Sequence, residues 1–209
     1  MRKLICLSMF LLAAFAVQAR AQSEADESSA ANTGVAIFAG GCFWCVEADF
    51  DKVDGVKETV SGYIGGEEDN PTYKTHVANG DREAVRITYD PSAVSYDELL
   101  KTFFRTVDPT DDGGQFCDRG FSYTTAVYTV NAAQAEAAQE AKADAADALG
   151  KPVVTEIVDA SEFWPAEEYH QNYYKKNPIR YRYYRYGCGR DSRVEELWGS
   201  AANYGLEKS

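Results

Sequence analysis

The sequence predicts an α/β domain in which a mixed sheet is covered by helices. Three observations carry that expectation: short apolar runs with strand-like bounds alternate with segments of helical period, turn residues punctuate the junctions, and some strand-like runs follow each other in hairpin-like order.

Residues 35–39 form a short apolar run ending in Gly40-Gly41, the pattern of a buried strand delivered into a tight turn. From Cys42 the period becomes helical: Phe43, Val46, Phe50 and Val53 share one face, while Glu47, Asp49 and Asp51 lie largely elsewhere. Cys42 therefore stands at a strand-to-helix junction. Residues 55–63 and 84–89 read as strands, separated by a Gly- and Asn-rich loop that contains Asn70-Pro71-Thr72-Tyr73. Residues 95–106 open with Ser95 and carry Glu98 three positions on, a capping box ahead of Leu99, Leu100, Phe103 and Phe104. Residues 121–130 read as a further strand. An Ala-rich helix follows, with Asn131 as N-cap and Gly150 as its stop. Its only apolar residues are alanines and Leu149, so it is expected on the surface with a stripe of small residues as its contact. Residues 153–158 form the last clear strand, and 166–176 a short helix before Pro178.

The 209 residues carry a formal net charge of −12. Residues 1–21 begin with Arg2 and Lys3, run apolar from Leu4 to Val17 and close on Ala19-Arg20-Ala21, which reads as a cleaved export signal. That run is short for a bilayer, although an uncleaved anchor is the rival reading, and no later segment is apolar enough to cross one. Cleavage removes three positive charges (Arg2, Lys3, Arg20) and no acids, so −12 becomes −15 for the 188 residues left (209 minus 21). Such a chain repels polyanions. The basic and aromatic run Tyr181-Arg182-Tyr183-Tyr184-Arg185-Tyr186 is accordingly read as a surface strand or tail packed by its tyrosines, with no nucleic acid as partner. Residues 22–33, rich in Ser, Ala and acids, read as a flexible leader. Residues 34–209 suffice for one domain with a buried core. The expected product is a monomer, periplasmic or secreted, with no attachment to a membrane once the signal is gone.

Of five cysteines, Cys6 leaves with the signal and Cys42, Cys45, Cys117 and Cys188 remain. An even count in an exported chain fits two stabilising disulfides. The setting of the first two points instead to reactive thiols, because a helix N-terminus favours the thiolate through its unpaired N–H groups and aligned dipoles. Cys42 and Cys45 are spaced i, i+3 on the first turn, beside a bend where burial is hardest to complete. Phe43 and Trp44 are placed to wall a pocket next to the sulfur, or one of them to join the core. Two other classes fit these residues. A thioredoxin-like disulfide oxidoreductase also places a C-x-x-C at such a junction. A zinc or disulfide-stapled module would draw on the cysteines with His76 and His170, but only Cys42 and Cys45 have ligand-like spacing. No metal and no cofactor is expected.

Gly40-Gly41-Cys42-Phe43-Trp44-Cys45-Val46-Glu47 resembles the active-site motif of the peptide methionine sulfoxide reductase A family. The likeness continues in the family's order through Asn70-Pro71-Thr72-Tyr73, Glu83 ahead of Tyr89-Asp90-Pro91, Asp108-Pro109-Thr110, Asp118-Arg119-Gly120 with Tyr123, and Tyr169-His170-Gln171 followed by Asn177-Pro178. It implies a two-layer α/β sandwich and thiol-dependent reduction of methionine S-sulfoxide, free or in a polypeptide, with repair of oxidised proteins as the outcome. A thioredoxin-like protein is the implied electron donor. It also implies Cys42 as nucleophile, Glu83 as the acid, Tyr73 and Tyr123 as donors to the sulfoxide oxygen, Asp118 as the group that orders them, and Phe43 and Trp44 as the seat of the methyl group. The chemistry is coherent, since a sulfoxide sulfur is a poor electrophile until its oxygen is hydrogen-bonded or protonated. Attack leaves methionine and a Cys42 sulfenic acid, which a second thiol condenses to a disulfide. By resemblance Cys188, set between glycines in a C-terminal tail, is the first choice for that thiol, with Cys45 and Cys117 as the others. A resting Cys117–Cys188 disulfide is the plainer alternative. Two departures stand out: Asp81, followed by Arg82, where the family often has His, and Cys117 beside Asp118, where many members have no cysteine.

Overall fold

The computed structural model describes residues 33–206; the expected export signal and, apart from Thr33, the expected leader lie outside the described residues. Among the described residues eight strands are formed: β1 (Gly34–Gly40), β2 (Val56–Ile64), β3 (Arg82–Tyr89), β4 (Gly114–Gln115), β5 (Asp118–Arg119), β6 (Thr125–Thr129), β7 (Glu156–Asp159) and β8 (Phe163–Pro165). Six of them make one sheet in the order β7-β6-β1-β3-β2-β8, and β4 pairs with β5 in a separate two-stranded piece. Every pairing in the large sheet is antiparallel except β6 with β7, so the sheet is mixed, as the sequence predicts. The helices are α1 (Phe43–Phe50), α2 (His76–Asn79), α3 (Tyr96–Phe104), α4 (Ala132–Leu149), α5 (Tyr173–Lys176), α6 (Pro178–Gly187) and α7 (Arg190–Trp198).

Alternation along β1 sends Ala36 and Phe38 to one face and Ile37 and Ala39 to the other, because successive strand side chains point in opposite directions. The first face holds the main core, where Phe38 meets Phe103 of α3 at 4.9 Å and Phe50 of α1 at 5.4 Å between ring centroids. Each such fully buried side chain stabilises the fold by about 1.5–3 kcal/mol. The second face carries a smaller cluster with Ile64, Ala126, Tyr128 and Phe163. Helix α3 starts at the expected capping box: Ser95 Oγ accepts from the Glu98 N–H at 3.2 Å, and Glu98 Oε2 accepts from the Ser95 N–H at 2.8 Å. Asn131 caps α4, Gly150 ends it in the left-handed region, and Ala138 and Ala145 form its buried small-residue stripe.

Four expectations are corrected. The strand expected at 121–130 begins only at Thr125, because Gly120 takes φ +109° and residues 121–123 form a 3₁₀ turn. The strand expected at 153–158 shifts to β7, and β8 follows it where no strand was expected. Only Tyr173–Lys176 of the stretch 166–176 is helical, since Asn172 interrupts it at φ +53°. Residues 181–186 are neither strand nor tail. They lie within α6, which Pro178 opens at its first turn, where a missing N–H costs nothing. Tyr181 is buried one turn ahead of Tyr184 and Arg185, so the helix docks by a 3.6-residue stripe that the alternating Tyr and Arg pattern conceals. No helix among the described residues is long and apolar enough to cross a membrane.

Candidate active site

The Gly40-Gly41 turn places Cys42. Gly41 adopts φ +82°, and a Cβ there would stand 2.6 Å from Cβ of Gln115. The buried Arg190 Nη1 donates to the Gly40 carbonyl at 3.1 Å and braces the turn from α7. Cys42 is the N-cap of α1, and its carbonyl accepts from the Cys45 N–H at 3.1 Å. The junction is as expected, but its burial is not. Cys42 is 8% exposed and Cys45 2%, because α6 closes over α1 where the sequence read a tail.

Among the described residues these two are the free thiols. Burial pushes the Cys42 thiol up, reinforced by Cys45 and the nearby Glu83 charge, so the helix terminus alone does not deliver a thiolate there. The hydrogen bond from Cys42, helped by Arg190 and Arg185, brings Cys45 down to about 7 against burial. The negative charge of the pair therefore favours Cys45, to which the Cys42 thiol is hydrogen-bonded, and Cys42 becomes the thiolate when its proton passes to Cys45.

Glu83 lies on β3 across from this pair. Its Oε2 accepts from the Phe43 N–H at 3.0 Å, and it also accepts from Tyr123. Burial outweighs those bonds, and with the Asp118 charge it pushes Glu83 up to about 8, so its carboxyl is protonated at neutral pH. His76 Nε2 stands 3.7 Å from Glu83, and burial holds its own pKa down. The two charges flagged beside Glu83 point elsewhere. Asp81 accepts from Gly66 N–H and Asn79 Nδ2, and Arg82 donates to Thr124, Tyr128 and Glu156.

One cleft of about 50 Å³ is lined by Cys42, Phe43, Trp44, Tyr73, Glu83, Asp118, Tyr123 and Tyr184. Seven of these eight are residues the sequence singled out. Phe43 is core as much as wall, tilted against His170 at 4.9 Å. Trp44 is the open wall, stacked on Tyr173 at 3.7 Å with its Nε1 donating to His170 Nδ1 at 3.0 Å. Tyr73 reaches the cleft from the loop before α2, where its N–H donates to Glu167 Oε1 at 3.1 Å.

Tyr184 is the residue that the sequence reading missed. Its hydroxyl donates to Asp118 Oδ2 and is also hydrogen-bonded to Cys42. Helical spacing of Tyr181, Tyr184, Arg185 and Cys188 is the signal that would have found it. Cys188 does not lie on a swinging tail: it caps the C-terminus of α6 and is joined to Cys117 in a disulfide, with the Cα atoms 4.9 Å apart. The expectation of a free Cys188 thiol gives way here to the plainer pairing.

A hydrogen-bonded thiol pair beside a protonated carboxyl, on a mixed sheet covered by helices, defines a thiol oxidoreductase of the α/β class. A family model described as peptide methionine sulfoxide reductase matches residues 34–202. The chain is 58% identical over 177 residues to peptide methionine sulfoxide reductase MsrA 2 of Rhizobium meliloti, covering 85% of this chain and 89% of that one. It is 46% identical over 170 residues to MsrA of Bacillus subtilis, covering 79% and 96%. Among solved structures, methionine sulfoxide reductase A of Corynebacterium diphtheriae matches with a TM-score of 0.67 at 33% identity, over 71% of this chain and 76% of that one. Mxr1 of Saccharomyces cerevisiae in reduced form matches at 0.66 and 30%, over 71% and 87%. The chain belongs to the peptide methionine sulfoxide reductase family, and the thioredoxin-like alternative is set aside.

Proposed function

We propose that Cys42 reduces methionine S-sulfoxide by direct attack on sulfur, with Glu83 as the proton source. The observation that carries this reading is the protonated, buried Glu83 in the same small cleft as Cys42, whose hydrogen-bonded partner Cys45 can take its proton. The Cys42 thiolate bonds to the sulfoxide sulfur as Glu83 protonates the oxygen, to which Tyr73 and Tyr123 donate, and the hydroxyl so formed passes from the methionine sulfur to the Cys42 sulfur as the methionine S–O bond breaks. The oxygen leaves with Cys42 as a sulfenic acid, and methionine departs. Phe43 and Trp44 accept the methyl group, and Asp118 holds Tyr184 against Cys42.

Cys45 is the resolving thiol on this reading, since it is free and hydrogen-bonded to Cys42 whereas Cys188 is paired with Cys117. Its sulfur displaces water from the sulfenic acid and closes a Cys42–Cys45 disulfide. A thioredoxin-like dithiol then restores both thiols. The charge pattern and small-x-small ending of residues 1–21 support export to the periplasm or beyond.

Separated S and R epimers of a methionine sulfoxide substrate, incubated with dithiothreitol, test the assignment. The S epimer is consumed and the R epimer is left; equal loss of both overturns it. Cys42→Ser abolishes turnover with the fold intact, and residual activity above a few per cent, in the same assay, would remove Cys42 from its role.

A further inference from the structure

Two arginines lie against α1, and their partners match only one of them. Arg185 donates to Asp49 Oδ1 at 2.8 Å, to the Tyr181 hydroxyl at 3.0 Å and, through Nη2, to Asp191 Oδ1 at 2.6 Å. Arg190, the first residue of α7, is 2% exposed, and its guanidinium makes a single hydrogen bond among the described residues, from Nη1 to the Gly40 carbonyl at 3.1 Å. Its Nε stands 3.8 Å from Asp49 Oδ2, beyond hydrogen-bond reach, and among the described residues neither Nε, Nη2 nor that carboxylate oxygen has a partner. Its Cζ lies 4.9 Å from the centre of the Phe116 ring. A guanidinium keeps its charge at every working pH, and a charge out of water needs an opposite one close by. Asp191 is 56% exposed, so the buried part of this cluster holds two positive charges and one negative. The surplus charge lies beside the thiols. Gly40 stands two residues before Cys42 and Asp49 one helical turn after Cys45, so a guanidinium that spans them runs along the turn that carries both sulfurs.

We propose that Arg190 is a positioning residue for the thiol chemistry: from α7 it lays a fixed positive charge along the first turn of α1, which makes Cys45 the resting thiolate of the pair. The proposal rests on the reading that Cys45 resolves the Cys42 sulfenic acid. The same charge serves twice. When substrate arrives, the Cys42 proton passes to Cys45 and Cys42 attacks. In the resolving step the Cys45 S–H bond breaks, its sulfur bonds to the Cys42 sulfur, and its proton leaves with the sulfenic hydroxyl as water. Arg190 gives up no proton, so it lowers the cost of a sulfur anion in both steps without entering the stoichiometry. The other groups that face the pair do not supply such a charge. Glu83 from β3 holds its proton, Asp118 from β5 accepts from Tyr184, and Asp49 is shared with Arg185. Tyr73, Tyr123, Tyr181 and Tyr184 present phenols that burial keeps neutral. Arg185 is a cation too, but Asp49 and Asp191 hold it. Helix α7 gives no side chain to the cleft, yet through Arg190 it belongs to the catalytic unit.

The test reads the thiolate directly. In reduced enzyme freed of reductant, the part of the ultraviolet thiolate absorbance that Cys45→Ser removes is titrated with pH, beside the single-turnover rate with methionine S-sulfoxide. The wild-type absorbance rises with a midpoint of about 7. Arg190→Met moves that midpoint and the ascending limb of the rate up together by about one pH unit or more, an about tenfold loss of thiolate below the midpoint, with KM unchanged. Arg190→Lys keeps a charge at this place, so both return to within about half a unit of wild type, while Tm falls with the loss of the Gly40 bond. Asp49→Asn removes the buried negative charge and moves both down. A midpoint and limb that hold still in Arg190→Met, with the rate lowered evenly at every pH, overturn the proposal and leave Arg190 a brace for the turn. A shift in Arg190→Lys as large as that in Arg190→Met overturns it as well, since charge would not be the cause. If Arg190→Met does not fold, Asp49→Asn decides, and a limb that stays or rises there sinks the charge argument. Sulfenic acid trapped by dimedone in the wild type, with no Cys42–Cys45 disulfide formed, defeats the Cys45 reading beneath the proposal, whatever the titrations give.

Discussion

Cys42, Cys45 and Glu83 set one another's protonation, so a pH profile reads all three. The proposed mechanism needs a thiolate in the cysteine pair, which forms as pH rises through about 7, and a proton on Glu83, which is lost as pH rises through about 8. The single-turnover rate therefore climbs through the first value and falls through the second. Glu83→Gln keeps a hydrogen-bond donor but is a far poorer acid, so it lowers that rate roughly 10²-fold or more and erases the descending limb. A rate unchanged in rapid-quench measurements would give the acid's role to another group. The same substitution has a stability signature. Because the Glu83 pKa is raised above 4.5, folded and unfolded chains both hold the proton at low pH, and the fold loses stability as pH climbs towards about 8. Thermal denaturation should show Glu83→Gln raising Tm more at pH 8 than at pH 5. Tyr184→Phe removes a hydrogen bond that favours the Cys42 thiolate, so the ascending limb of the rate profile moves to higher pH. A limb that stays in place would mean that Tyr184 only packs.

At the scale of elements, the turn between β1 and α1 is the part that tolerates least. Gly41→Ala combines a left-handed φ with a Cβ that Gln115 already occupies, and it costs about 1–3 kcal/mol. Gln115 is itself fixed, accepting from the Asp108 N–H and donating to the Asp108 and Gly114 carbonyls. Denaturant melts give the stability loss directly. The accompanying fall in kcat should exceed any rise in KM, because the turn aims Cys42 more than it forms the aromatic wall. Helix α6 shows why local pattern reading stops short. Its alternating Tyr and Arg residues suit a strand, yet Arg185 pairs with the buried Asp49 at 2.8 Å and with Asp191 at 2.6 Å. Those partners, on α1 and α7, reward the helical placement of Tyr184 over the cleft. Helix α3 is the contrary case, legible to the residue because Ser95 and Glu98 make their bonds within one turn.

For the whole molecule, β1 enters the sheet at Gly34, between β3 and β6, and every residue of the cleft lies after it. Deleting residues 1–31 should leave Tm within about 2 °C and the single-turnover rate unchanged. A large drop in either would tie these residues to the catalytic unit. The sequence by itself determined the mixed α/β class, the strand-to-helix seat of Cys42, the capped helices and the residues that meet in the cleft. These follow from turns, caps and periodicities that act over a few positions, and from the order of the motifs. Only the tertiary structure decided how deeply the two thiols are buried, that Glu83 keeps its proton, that Cys188 bonds to Cys117, and that Tyr184 completes the wall. Each of those outcomes depends on contacts closed across long stretches of chain: 40 residues between Phe43 and Glu83, 71 between Cys117 and Cys188, and 150 between Gly40 and Arg190. Solvent exclusion at such a junction is a property of everything packed around it. Protonation and sulfur pairing, which respond to that exclusion and to proximity, are therefore written in the fold and not in any local run of residues.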